Sequence, residues 1–132
     1  MLCRTVLVAV PEEIPQKHIT KRIKMKIIKV YLPLEDNNGK SLDNWHTRFI
    51  QSMTKPTSIT GFTVTDAKGY WFDGDVQYVD NQRIYEFHLS AEQAIDAEDW
   101  LRFRARMMCK MMGQECIYMT IDNEQHFITG DK

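Results

Sequence analysis

"RIYEFHLSAEQ", residues 83–93, decides the fold. Its first seven residues alternate: Tyr85, Phe87 and Leu89 fall on one side, and Ile84, Glu86 and His88 on the other. That period of two is the mark of a strand with one buried face. The period then changes. Ser90 offers a hydroxyl and Gln93, three residues on, an amide, which together make a capping box at a helix start. Ala94, Ala97, Leu101, Ala105, Met108 and Met112 recur at helical spacing after it, and Gly113 ends the run. A strand is therefore predicted to feed directly into an amphipathic helix.

Working outward, "GFTVTDAKGYWF" (61–72) reads as another strand with Phe62 and Val64 facing in, and Asp73-Gly74 as a tight turn. The strand beyond that turn is expected to begin at Asn81-Gln82. Earlier, "KIIKVYLPL" (26–34) alternates with Ile28, Val30 and Leu32 on one face. "EDNNGK" (35–40) is a loop, and Ser41 is placed to cap a helix carrying Leu42, Trp45, Phe49 and Met53 until Pro56 stops it. "CIYMTID" (116–122) supplies a last strand.

The order β-α-β-β-α-β predicts an α+β, ferredoxin-like two-layer sandwich, with two helices on one face of a four-stranded antiparallel sheet. The other face would carry Tyr31, Thr63, Thr65, Glu86, His88, Tyr118 and Thr120. That mixture is too aromatic for plain solvent and too polar for a core, so it suits contact with another copy of the chain. A homo-oligomer is expected.

The composition fits one globular domain: 132 residues, 43% hydrophobic and 27% charged. A net charge of −1 gives no electrostatic case for nucleic acid. No apolar run approaches a membrane span. Cys3, Cys109 and Cys116 are too few and too irregular for a disulfide framework or a metal site, which points to reduced thiols and a cytoplasmic setting. The stretch "QKHITKRIKMKIIK" (16–29) is strongly basic. A solvated leader over 1–24, partly disordered and followed by the domain at 25–132, is the simpler reading; a basic arm for an anionic partner is the sharper one.

Common catalytic signatures, a P-loop or a G-x-S-x-G elbow among them, are missing, and so is any Cys/His metal spacing. The histidines are scattered. "RMMCKMMG" (106–113) is core filler at helical spacing in preference to a soft-metal site. Two stretches stand out. Glu115 sits just beyond a helix C-terminus, where the helix dipole disfavours an anion. "GYWFDGDVQYVDNQRIYEF" (69–87) sets aromatic rings beside polar amides.

These two stretches carry a family resemblance. Ala105, Arg106, Cys109, Gln114, Glu115 and Cys116 match A-R-x-x-C-x-x-x-x-Q-D-C, with Glu for Asp, at the helix-to-strand junction of the bacteriophage S-adenosylmethionine lyases, formerly called hydrolases. The family's Gly-x-Tyr turn and its acidic strand start fall on Gly69, Tyr70, Trp71 and then Asn81-Gln82. The resemblance spans about 26–130, specific at the junction and loose elsewhere. "GFTVTDAKGYW" is more loosely similar to an uncharacterised bacterial family, which implies the same fold but no activity.

The lyase resemblance implies cleavage of S-adenosylmethionine to 5′-methylthioadenosine and homoserine lactone by the substrate's own carboxylate, without cofactor or metal. It also implies a phage anti-restriction role in the host cytoplasm and a trimer. Position 82 would be the catalytic position, with Tyr70, Trp71, Asn81 and Glu115 binding substrate. Here the chain departs from the pattern: Gln82 keeps the shape of a glutamate and lacks its charge, either as a natural amide or as an inactivating exchange. The alternatives are an oligomeric, non-enzymatic ferredoxin-like protein that binds a small ligand or a host protein, and nucleic-acid binding through the leader.

Overall fold

The structure, a computed structural model, describes residues 25–55 and 58–130. The leader and Pro56, with the expectations placed on them, lie outside the described residues. The elements run β1 (Lys26–Pro33), α1 (Asp43–Ser52), β2 (Thr63–Asp73), β3 (Val76–Leu89), α2 (Ala91–Met111), β4 (Ile117–Ile121) and β5 (Glu124–Ile128). All five strands join one antiparallel sheet in the order β2-β3-β1-β4-β5.

The expected sheet had four strands, and the fifth is a correction. It arises at Asp122-Asn123, both in the left-handed region at φ 51° and 69°. Asp and Asn tolerate that region best among residues with a side chain, and two such residues in sequence make the hairpin turn that suits strand twist. Asp122 also locks the turn to β1: its Oδ1 accepts from the Ile27 N–H and its own N–H donates to the Ile27 carbonyl, each at 2.8 Å.

Alternation places the core. Ile28, Val30 and Leu32 of β1, Tyr85, Phe87 and Leu89 of β3, and Ile117, Met119 and Ile121 of β4 are all buried on one side. Both helices cover that side. Ala94, Ala97 and Ala105 bring α2 close to the sheet, with Leu101 and Met108 filling between them, and Phe49 of α1 packs its ring 4.8 Å from that of Tyr85. The capping box at Ser90 and Gln93 forms as read.

Three local expectations change. Leu42, not Ser41, occupies the cap position of α1, and the Ser41 hydroxyl accepts from the Asp43 N–H at 3.2 Å. Val64 shares the inward side with its partner Tyr85 but is 41% exposed, because β2 is an edge strand beyond the reach of the helices. Strand β3 begins at Val76, so Asn81 and Gln82 stand within it rather than at its start.

That long β2–β3 hairpin shapes the molecule. Thr65, Ile84, Tyr31 and Tyr118 stand level across four adjacent strands. Trp71 lies six positions further along β2, so on a flat sheet it would be ~20 Å along and ~14 Å across from Tyr118. Their rings are 6.2 Å apart. The hairpin therefore coils strongly over the helix-free face, in the sense of ordinary strand twist.

Candidate functional site

Under the coiled hairpin lies a cleft of about 550 Å³, within the usual range for small-ligand sites. Tyr31 and Pro33 of β1, Trp71 of β2, Asp80 and Gln82 of β3, Tyr118 of β4 and Phe127 of β5 line it, with Asn37 and the segment Gly113–Cys116 closing one end. The rings form a continuous aromatic wall. Tyr31 and Tyr118 meet edge to face at 4.8 Å, Tyr118 and Phe127 lie at 5.4 Å, and Trp71 meets Tyr118 edge-on. Burial, then Tyr118 and Glu86, push the Tyr31 phenol above its ordinary range, so it is neutral at physiological pH.

Glu115 reaches the cleft because of how α2 ends. Gly113 takes φ +67°, and its N–H donates to the Lys110 carbonyl while that of Gln114 donates to the Cys109 carbonyl at 2.9 Å. This is a Schellman turn, which needs a residue at ease in the left-handed region. The Cys109 thiol adds a bond to the Gln114 carbonyl at 3.1 Å. Cys109, Gly113 and Gln114 thus build the turn that delivers Glu115 and Cys116. Burial, and then the nearby Glu115, raise the Cys116 thiol, so it lines the cleft as a neutral group.

Gln82 owes its position to Gly69. Their strands are antiparallel, with Ala67 opposite Gln82 and Gly69 opposite Asp80. A Cβ at residue 69 would lie 3.0 Å from both terminal atoms of the Gln82 amide. The Gln82 side chain therefore leans diagonally over Gly69, and a Cβ there would push its amide aside by a few tenths of an ångström.

The five residues singled out in the sequence separate by face. Trp71, Gln82 and Glu115 come together in the cleft. Tyr70 and Asn81, each one position out of step with a cleft residue, project to the opposite face of the hairpin. Asn81 instead donates from its amide to Glu35 at 3.2 Å, and its carbonyl takes the Leu34 N–H. It holds the loop that carries Asn37. Tyr31, Pro33, Asp80, Tyr118 and Phe127 were not singled out as ligand-facing. Alternation in β3 was the available signal for Asp80: positions 80 and 82 must share a face.

Two polar networks flank the cleft. On the helix side, His46 Nε2 and the Pro33 carbonyl are 2.7 Å apart, and Nδ1 lies 2.6 Å from the Tyr85 hydroxyl. Burial lowers the His46 pKa despite the Pro33 bond. On the open face, His88 Nε2 meets Glu86 Oε2 at 2.5 Å, with Lys29 beyond at 3.9 Å. Among the described residues, no group of three or more His, Cys, Asp or Glu could hold a metal ion, and no helix is long and apolar enough to cross a membrane.

No protein-family model and no curated protein matches the chain. Solved structures do, and they place the chain in a class of α+β folds. One is a phage SAM lyase in complex with S-methyl-5′-thioadenosine, with TM-score 0.60 and 11% identity over 80% of this chain and 90% of that one. Another is a phage SAM lyase in the apo state, with TM-score 0.57 and 15% identity over 79% and 88%. The chain shares the phage SAM lyase fold along most of its length.

Proposed function

We propose that the protein cleaves S-adenosylmethionine to 5′-methylthioadenosine and homoserine lactone. The observation that carries this reading is an aromatic-walled cleft with two carboxylates, on a fold shared with a lyase whose complex holds methylthioadenosine. Fold alone does not fix function, so the cleft's chemistry must supply the rest.

In the reaction the substrate's carboxylate oxygen bonds to its own γ-carbon as the γ-carbon–sulfur bond breaks. The bonding pair stays on sulfur, and a sulfonium becomes a neutral thioether. No proton need move and no external nucleophile is consumed. The protein has to bind, bend the methionine tail into line and keep water out. Trp71, Tyr31 and Tyr118 offer ring faces to adenine and to the sulfonium, which aromatic quadrupoles attract. Gln82 can hydrogen-bond the ribose hydroxyls, and Glu115 can pair with the substrate ammonium.

We read the first four strands and the two helices as a ferredoxin-like unit extended by β5, acting as an anti-restriction protein in a phage-infected cell. The hairpin's outer apolar side chains support a homo-oligomer, a trimer by resemblance: Tyr70, Phe72 and Val79, on the face away from the cleft, are all exposed, Phe72 by 72%. Such patches mark contact surfaces.

The test is chromatography of S-adenosylmethionine incubated with the protein and, in parallel, with Gln82→Glu. Methylthioadenosine together with homoserine lactone is expected. Its absence from both would leave an oligomeric ligand-binding protein on the same fold.

A further inference from the structure

Gln82 brings no charge to the cleft, and a carboxylate stands close by on the same strand. Asp80 lies two residues earlier on the same strand and the same face, and it lines the same cleft. It sits opposite Gly69, over which the Gln82 amide leans. Directly opposed residues in an antiparallel pair have Cα atoms about 5 Å apart. The amide of Gln82 is thereby carried diagonally toward the side chain of Asp80. A glutamate at 82 would bring a second carboxylate to that spot, where like charges repel.

We propose that Asp80 is the carboxylate that receives the positive charge of the ligand in this cleft, with Gln82 beside it as a neutral hydrogen-bonding partner. Acid at 80 and amide at 82 form one arrangement on the cleft side of β3. Glu115 stands at the far end of the segment after α2, so the cleft presents carboxylates from two elements to a cationic ligand. The aromatic rings of Tyr31, Trp71 and Tyr118 line the space along with them. The inference rests on the proposed reading for the identity of the cation, which is a sulfonium or an α-ammonium on a nucleoside thioether.

Calorimetry with three ligands separates these possibilities. Sinefungin bears an ammonium in place of the sulfonium and an α-ammonium; S-adenosylhomocysteine has only the α-ammonium; methylthioadenosine has neither. Asp80→Asn is expected to weaken sinefungin about tenfold while changing methylthioadenosine less than about twofold. A parallel loss for S-adenosylhomocysteine assigns the α-ammonium to Asp80; no loss there assigns the sulfonium position. The exchange Asp80→Asn/Gln82→Glu should return sinefungin to within about threefold of the parent, and Gln82→Glu alone should not tighten it. Equal weakening of all three ligands, or no recovery in the exchanged protein, overturns the proposal while methylthioadenosine binding upholds the functional reading. A parent protein that binds none of the three overturns both.

Discussion

The buried pair His46 and Tyr85 gives the sharpest prediction of stability. A carbonyl can only accept, so His46 Nε2 carries the proton that it donates to Pro33. Nδ1 is then a lone pair, and the Tyr85 hydroxyl donates to it. Neither side chain meets solvent: Tyr85 is 0% exposed and His46 1%. Tyr85→Phe keeps the ring against Phe49 and Phe62 and strands Nδ1 without a donor. A buried acceptor left unpaired costs about 2 kcal/mol. For a domain of this size that lowers the Tm by roughly 8 °C, read by circular dichroism at pH 7.5. Both ends of the pH scale check the assignment. Burial holds the His46 pKa below its usual 6.5, so the folded state binds fewer protons. The stability that this contributes is present above about pH 6.5 and lost as pH falls through the folded value. Burial pushes the Tyr85 phenol up to about 12 from 10.0, so its share is present below pH 10 and fades as pH rises toward 12. The Phe variant should lack that alkaline component. A variant melting within about 1 °C of the parent would refute the tautomer and the network with it.

Other outcomes follow from single contacts. Gly69→Ala places a methyl 3.0 Å from the Gln82 amide; methylthioadenosine affinity should fall several-fold while the melting temperature stays within a few degrees, by calorimetry and thermal melt. Ser90→Ala removes the hydroxyl that accepts from the Gln93 N–H at 3.1 Å, and should cost about 1 kcal/mol in urea denaturation. Trp71→Ala should weaken the same ligand by about 1–2 kcal/mol, whereas Tyr70→Ala, on the opposite face, should leave its binding to an isolated subunit unchanged.

The α2 end of the site was legible because its signals are local. Ser90, Gln93 and Gly113 specify where the helix starts and stops, and the A-R-x-x-C spacing falls where Cys109 bonds the turn that aims Glu115. The strand cores were equally readable, since alternation at Ile28, Val30, Tyr85 and Phe87 needs no knowledge of neighbours. The hairpin was not. Tyr70 and Trp71 close the strand read over 61–72, but Asn81 and Gln82 read as a strand start, so the two sides of the hairpin could not be matched; as paired strand residues, neighbours in sequence must part company. Strand β5 hid because Glu124–Ile128 has little buried surface and declares itself only through the two left-handed residues before it. Tyr31, Tyr118 and Phe127 become a wall only once β1, β4 and β5 lie side by side.

The coiled hairpin has a kinetic meaning as well. Neither helix backs its outer half: residues 70–80 are exposed throughout, and β1 pairs with β3 only from Gln82 onward. The arm that brings Trp71 and Asp80 to the cleft is therefore among the most weakly tethered of the paired elements. Its amide hydrogens should exchange through local opening long before those of Tyr85 or Met119, which open only with the whole domain. A ligand held between Trp71 and Tyr118 would bridge the arm to the sheet and slow that exchange. The cleft would then be partly made by what it binds, and the time the arm spends open would set how fast a bound molecule leaves.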